Sequence, residues 1–279
     1  MSDDKRINHV ASSVIFGSVS GFVSTVLLQP LDRLKTLSQQ DTVHRSNVFK
    51  RCQLVINENG VTGLWRGLTP SLLRVVPGVA LYFGLYELGR SCLPQNSNVY
   101  LSNFALGAIS RTLAGSLLMP ATVIKTRFES TYYQDRSVLS AARDIVRQNG
   151  LKGLFKGIVP TIMRDAPFSG IYLVFYRQNL KLLHEDASKC TPLSRFLSGL
   201  CSGICACAVT QPFDITKTHI QLFPNRYSSL ARVTLSLFKQ GGFLVFFTGF
   251  WLRAIRRTLM ATLNWTIFDE LFEARFHHG

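Results

Sequence analysis

The chain has 279 residues, 47% of them hydrophobic and only 17% charged, where soluble domains carry roughly 25% charged residues. A formal charge of +15 suits either a nucleic-acid binder or a basic membrane protein facing anionic lipid and metabolites; charge-free stretches of 18 to 22 residues exclude the first. Six cysteines in a chain this long, three of them crowded into one apolar stretch, exclude the disulfide frame of a small secreted domain and predict free thiols.

Residues 1–9, "MSDDKRINH", match neither a secretory signal nor an Arg-rich transit peptide, so targeting information is expected to be internal. Residues 10–31 then carry no Asp, Glu, Lys or Arg over 22 positions, enough to cross a bilayer. "PLDRLK" closes that stretch from Pro30, and "NVFKRCQLVINENG" follows with apolar residues at helical spacing, as in a short helix lying on a membrane surface. "GVTGLWRG" from Gly60 opens a second helix. Its apolar part, 75–86, spans the membrane only if Arg74 lies inside the helix and faces away from lipid.

The order then returns twice. Residues 99–124 are clean except for Arg111 and contain "PATVIK" from Pro120; "SVLSAARDIVRQNG" and "GLKGLFKG" from Gly150 lead to 166–176, preceded by Arg164 and Asp165. Residues 196–213 are clean throughout, "PFDITK" starts at Pro212, and "GFLVFFTG" from Gly242 leads to 258–268, preceded by Arg256 and Arg257. The three prolines stand 90 and 92 residues apart, and each glycine motif begins 30 residues past its proline. Such a constant offset marks an internal repeat: residues 1–97, 98–190 and 191–279, with two spans each and six in all, forming one integrated unit. An even number of spans puts both termini on one side and the basic connectors on the other. Gly17 with Gly21, and Gly199 with Gly203, have the i, i+4 spacing that lets membrane helices approach. Gly107 and Gly115 keep that face in the second repeat, with Arg111 between them.

A proline inside a helix removes a hydrogen bond and bends it, so Pro30, Pro120 and Pro212 predict three helices converging at one end. An acid two residues after the proline and a base five after lie about 300° apart around the helix, so each reaches a different neighbour. A ring of ion pairs follows. Arg74, Arg164 and Arg256 each stand seven residues past the glycine that opens the even helix, roughly 10 Å into it, so all three guanidinium groups share one level. Ionised groups there are costly without water or a partner and are functional candidates. Arg164 and Asp165 together suit a zwitterion, the arginine holding a carboxylate bidentately and the aspartate an ammonium. Arg111 lies 11 residues before Thr122 and about 20° from it in projection; it faces the cavity if Thr122 does, or bonds a neighbouring helix.

Three repeats of Pro-x-acid-x-x-base followed by Gly-x-x-x-x-aromatic-base-Gly resemble the mitochondrial carrier family over essentially the whole chain. The resemblance implies an all-α membrane protein of the mitochondrial inner membrane, with six tilted helices around a central cavity. It also implies termini in the intermembrane space, matrix-side surface helices, alternating access, no cofactor, a functional monomer and contact with membrane lipid such as cardiolipin. By the family pattern Asp32 pairs with Lys125 and Asp214 with Lys35 in a matrix gate. Thr122 replaces the third acid, so Lys217 is expected to lack its carboxylate. Gln39 and Gln221 occupy bracing positions, where Glu129 makes the third brace imperfect. The outer gate is irregular: Tyr86-Glu87 with Arg90 fits, Phe268-Asp269 lacks the base, and Tyr176-Arg177 inverts the charge. Arg74, Arg164 and Arg256 fall on the family's substrate contact points, and Arg164-Asp165 matches members that carry amino acids. "PATVIKTRFES" with that pair looks most like the glycine-carrying members, which implies glycine import for haem synthesis. The rival is an anionic or phosphorylated metabolite held by the arginine ring, and Asp165 discriminates by repelling a polyanion.

Other classes fit less well. No nucleophile-base pair or phosphate loop suggests an enzyme. Cys201, Cys205 and Cys207 lack the further ligands of a metal site and read as small packing residues. His277 and His278 read as a solvated end.

Overall fold

Every repeat runs from an odd helix, broken in two in repeat 2, through a short surface helix and a 3-10 turn into an even helix in a computed structural model. The residues described are 3–41, 47–91, 99–133, 135, 137–183, 192–227, 229–260 and 262–263. Repeat 1 comprises α1 (Asp3–Gln40), α2 (Val48–Asn59) and α3 (Leu68–Ser91); repeat 2 comprises α4 (Val99–Leu117), α5 (Met119–Glu129), α6 (Val138–Asn149) and α7 (Ile158–Leu183). Repeat 3 comprises α8 (Pro192–Leu222), α9 (Leu230–Gly241) and α10, helical from 250 through 260.

Among the described residues, the helical stretches Val14–Gln40, Val61–Arg90 and Phe196–Leu222 are each long and apolar enough to cross a membrane, and α4 with α5 form a further span bent by 62°. Helix α7 has 26 residues, about 39 Å of rise, so its length suffices to span, while the charges of Arg164 and Asp165 lower its hydropathy. The 109° turn between α9 and the helix after it is the corner from surface helix to span. Gly242 at φ 66 ends α9, a 3-10 turn follows at Phe243–Phe247, and Gly249 at φ 76 opens α10. The other repeats turn the same corner with Gly60 and Gly67, and with Gly150 and Gly157, all at positive φ.

The prolines act unequally. α1 and α8 run through Pro30 and Pro212 as continuous helices, whereas the odd helix of repeat 2 breaks at Leu118, φ −91 and ψ 12, just before Pro120 at the start of α5. Proline has no N–H to donate back up the helix, and here the chain resolves that loss by restarting rather than curving.

Three clusters of buried apolar side chains sit where surface helix, turn and odd helix meet, one per repeat: Leu34, Leu37, Val55 and Leu64; Met119, Val123, Ala141 and Ile145; Ile215, Val233, Leu237 and Val245. Opposite stripes stay exposed, as with Ile109, Leu113 and Leu117 on α4, where lipid rather than protein satisfies them. Close approach follows the glycines. A Cβ at Gly21 would lie 2.8 Å from Val75 Cγ1, and one at Gly199 would lie 3.2 Å from the Tyr172 hydroxyl. Gly115 has nothing within 4 Å, so the small-residue face expected in repeat 2 is not a contact there. Cys52, Cys201, Cys205 and Cys207 are free thiols, and the described residues contain no group of His, Cys, Asp and Glu able to hold a metal ion. Cys92, Cys190, His277 and His278 lie outside the described residues.

Candidate functional site

The motifs bring acids and bases from different repeats together at the end where the odd helices converge. Asp32 of α1 takes the Lys125 ammonium of α5 at 2.5 Å and is in ion-pair contact with Arg256 Nε of α10. Asp214 of α8 takes Lys35 of α1 at 2.5 Å, Arg164 Nη1 of α7 at 3.0 Å and the Gln39 amide at 2.9 Å. With the repeats in cyclic order, both carboxylates sit in one frame: a lysine from the following odd helix and an arginine from the preceding even helix. The Asp214 side chain is 1% exposed. A carboxylate that deep is stable only with its donors present.

At the third corner the frame requires Lys217 from the following odd helix and Arg74 from the preceding even helix, around residue 122. Thr122 turns its hydroxyl back to the Leu118 carbonyl at 3.2 Å. Lys217 is 7% exposed and has no ion pair or hydrogen bond among the described residues; Arg74 Nε is buried without a hydrogen-bond partner. Arg164, Asp165, Asp214 and Arg74 all lie within electrostatic reach of Lys217. The missing negative charge reappears seven residues on, two turns along the same face, at Glu129. Glu129 accepts from Thr36 Oγ1 at 2.6 Å and Gln29 Nε2 at 3.2 Å, and lies 3.4 Å from Lys125 Nζ. The imperfect brace expected at Glu129 is therefore fully bonded, because two neutral donors and a lysine converge on it.

The bracing residues form a second ring. Thr36 donates to Glu129, Thr126 to Gln221 at 2.8 Å and Thr218 to Gln39 at 2.7 Å, always from one repeat to the next. The glycines that open the even helices press on the same side chains. A Cβ at Gly67 would meet Glu129 Cγ at 3.0 Å, one at Gly157 Gln221 Cγ at 3.2 Å, and one at Gly249 Gln39 Cγ at 3.3 Å. Sequence reasoning missed the threonines, although "KT" recurs at Lys35-Thr36, Lys125-Thr126 and Lys217-Thr218. It also missed the residue before each proline. Gln29 accepts from Ser71 at 2.8 Å, Gln211 accepts from Arg253 at 3.0 Å, and Met119 Sδ lies 3.7 Å from Gln221 Nε2.

Arg164 and Arg256 lie within bonding distance of the acids of the ring rather than in a separate layer. Arg164 grips Asp165 with two hydrogen bonds, Nε to Oδ1 at 2.8 Å and Nη2 to Oδ2 at 2.9 Å, and spends Nη1 on Asp214. The two members of this pair and Asp214 neutralise one another. Arg257 stacks over Phe168 at 3.4 Å, and Phe168, Tyr172 and Tyr176 form a stacked row along α7. Arg111 is exposed on the side of α4 roughly 160° from the Ile109 and Leu113 stripe. It has no bond to a neighbouring helix among the described residues, and the break at Leu118 separates its face from that of Thr122.

At the other end, Tyr86 packs on Tyr82 with ring centroids 6.2 Å apart, Glu87 is half-buried and Arg90 is exposed in the last turn of α3. Asp269, Phe268 and the side chain of Arg177 lie outside the described residues.

Three-fold recurrence of this arrangement matches a known signature. The family described as mitochondrial carrier protein matches residues 7–97, 96–187 and 188–278. The chain belongs to the mitochondrial carrier family. It is thus a multi-pass protein of the mitochondrial inner membrane that transports its substrate and performs no enzymatic step. This carrier is 42% identical over 273 residues to the mitochondrial glycine transporter of Homo sapiens, covering 95% of this chain and 90% of that one. It is 41% identical over 277 residues to the mitochondrial glycine transporter of Xenopus tropicalis, covering 96% and 92%. To mitochondrial glycine transporter A of Danio rerio it is 39% identical over 264 residues, covering 91% and 92%.

Proposed function

We propose that this carrier imports glycine into mitochondria by alternating access and so supplies haem synthesis. The likeness to transporters named for glycine, over more than nine-tenths of the chain, carries this reading. The chemistry of the arginine level supports it. Asp165 offers a carboxylate to an amine, while the cations around it, Lys217 and Arg257 among them, favour a carboxylate.

In this reading Asp32, Lys125, Asp214 and Lys35 form the matrix gate, closed here, with Gln39, Gln221 and Glu129 as its braces. Arg164 shares Asp214 with Lys35, so a solute that draws Arg164 or Asp165 to itself loosens the carboxylate that shuts the gate. Site occupancy and gate opening are linked through that side chain. Tyr86, Glu87 and Arg90 take part in the outer gate. The protein works as a monomer. Lipid occupies a cavity of 290 Å³ between repeats 1 and 3, lined by Val48, Arg51, Phe247 and Trp251 among others; native mass spectrometry of solubilised protein reports both features.

Uptake of labelled glycine into proteoliposomes, run against alanine, serine and nucleotides, tests the function. Saturable glycine uptake supports it. Nucleotide exchange without glycine uptake overturns it in favour of the anionic metabolite, which the excess of positive charge at the third corner would otherwise suit.

A further inference from the structure

We infer that the carboxylate of the transported amino acid docks at the third corner of the matrix ring, between Arg74 and Lys217, in the place that Thr122 leaves without an acid. The inference rests on the amino-acid reading above and adds where the anionic end binds.

The two complete corners act as templates for the third. Around Asp32 stand Lys125 and Arg256; around Asp214 stand Lys35 and Arg164. A lysine and an arginine from fixed places in the repeat thus converge on a carboxylate twice in this chain. The same two places in the third corner are filled by Lys217 and Arg74, and residue 122, a threonine, supplies no carboxylate to them. Lys217 is buried and Arg74 partly so. Lys217 is 7% exposed without an ion pair or hydrogen bond among the described residues, and Arg74 Nε is buried and unpartnered. Buried cations left so are costly, and an incoming carboxylate is the group whose geometry the frame already fits.

Arg164 is not available for this role. Three of its nitrogen atoms are committed to Asp165 and Asp214, and Arg256 faces Asp32. Among the described residues, Arg74 is the one arginine of the contact level that forms no ion pair, although Asp32 and Asp165 act on it from farther off. Glu129 does not fill the corner either, since it bonds Thr36, Gln29 and Lys125.

The ammonium has a receiver nearby. Asp165 lies within electrostatic reach of both Lys217 and Arg74, so a solute whose two charges are one carbon apart lies with its carboxylate in the corner and its ammonium toward Asp165. Arg74 belongs to α3 and Lys217 to α8, in different repeats. When the ring opens and these helices part, the carboxylate loses one of its two donors, which favours release on the matrix side.

The inference makes Thr122 a determinant of affinity rather than only a weak point in a gate. Thr122→Asp supplies the missing acid from within, so it raises the thermal midpoint of the empty protein and abolishes the stabilisation that added glycine produces. Its KM for glycine exceeds that of Thr122→Asn, equal in size but neutral, by at least tenfold. Arg74→Gln and Lys217→Gln each raise KM on the order of 10- to 100-fold, the range of a lost charge-assisted bond. They also reduce the preference for glycine over glycinamide, which keeps the ammonium and lacks the carboxylate. Proteoliposome uptake and ligand-induced thermal shifts in detergent read these effects independently. If the unaltered protein takes up glycine but Thr122→Asp keeps its KM and its thermal shift, the inference fails and the function stands. Unchanged preference over glycinamide in Arg74→Gln and Lys217→Gln also overturns it. If the unaltered protein neither takes up glycine nor is stabilised by it, the amino-acid reading fails first.

Discussion

Arg164 Nη1 lies 3.0 Å from Asp214 Oδ1, on the carboxylate whose other oxygen holds the Lys35 ammonium at 2.5 Å. One acid therefore serves both the contact level and the ring below it. Asp214→Asn strands Lys35 and Arg164 together, and removal of one member of a buried ionic group costs about 3–5 kcal/mol. Lys35→Met leaves Asp214 with Arg164 and Gln39 and costs less, about 1–3 kcal/mol. Thermal unfolding of the two variants in detergent checks the order; equal losses would mean that Arg164 contributes nothing to Asp214.

The threonines of the second ring donate to unlike acceptors. Thr36 bonds the Glu129 carboxylate at 2.6 Å and Thr218 the Gln39 amide oxygen at 2.7 Å. Bonds to a charged acceptor are roughly twice as strong as neutral ones. Thr36→Val is expected to lower the unfolding midpoint more than Thr218→Val, and the reverse order would contradict the greater strength of the Thr36–Glu129 bond.

Gly249 and Gly60 share a positive φ, 76° and 70°, but differ in surroundings: a Cβ at Gly249 meets Gln39 Cγ at 3.3 Å, and one at Gly60 meets nothing within 4 Å. Left-handed backbone costs a side chain roughly 1–2 kcal/mol. Gly60→Ala should show that loss alone, while Gly249→Ala adds displacement of a bracing side chain. Matched denaturation curves decide it, and a Gly60→Ala variant at least as damaged as Gly249→Ala would contradict the contact.

Contact between α1 and α3 passes through Gly21, where a Cβ would lie 2.8 Å from Val75 Cγ1, whereas Gly84 on α3 has open space. Gly21→Val is expected to destabilise the fold by about 1–3 kcal/mol through overpacking, well beyond Gly84→Val. Yield and thermal midpoint of folded protein after gel filtration measure the difference.

Periodicity made much of this architecture readable before any coordinate. Prolines and glycines at constant offsets mark the repeats, and the acid and base after each proline point to different neighbours, as Asp32 with Lys125 and Asp214 with Lys35 are found. What stayed hidden depends on tilt and on contacts between repeats. The reach of Arg164 to Asp214 follows from how α7 leans on α8, which no spacing along one helix encodes. The break at Leu118 was illegible because three prolines in equal contexts give two continuous helices and one interrupted helix. Arg111 was projected onto the face of Thr122 as though that helix were unbroken. The "KT" signal was present and went unused, since a threonine beside a lysine reads as ordinary until its acceptor in the next repeat is seen.

Because Thr36, Thr126 and Thr218 each bond the repeat that follows, the last of them fastens the end of the chain to its beginning across 179 positions. Such a closed circuit has no terminal member. A polypeptide truncated to any two of its thirds keeps one fastening out of three, so the parts cannot assemble the ring by halves, and tying the final third to the first is what turns a linear string of duplicated segments into a single vessel.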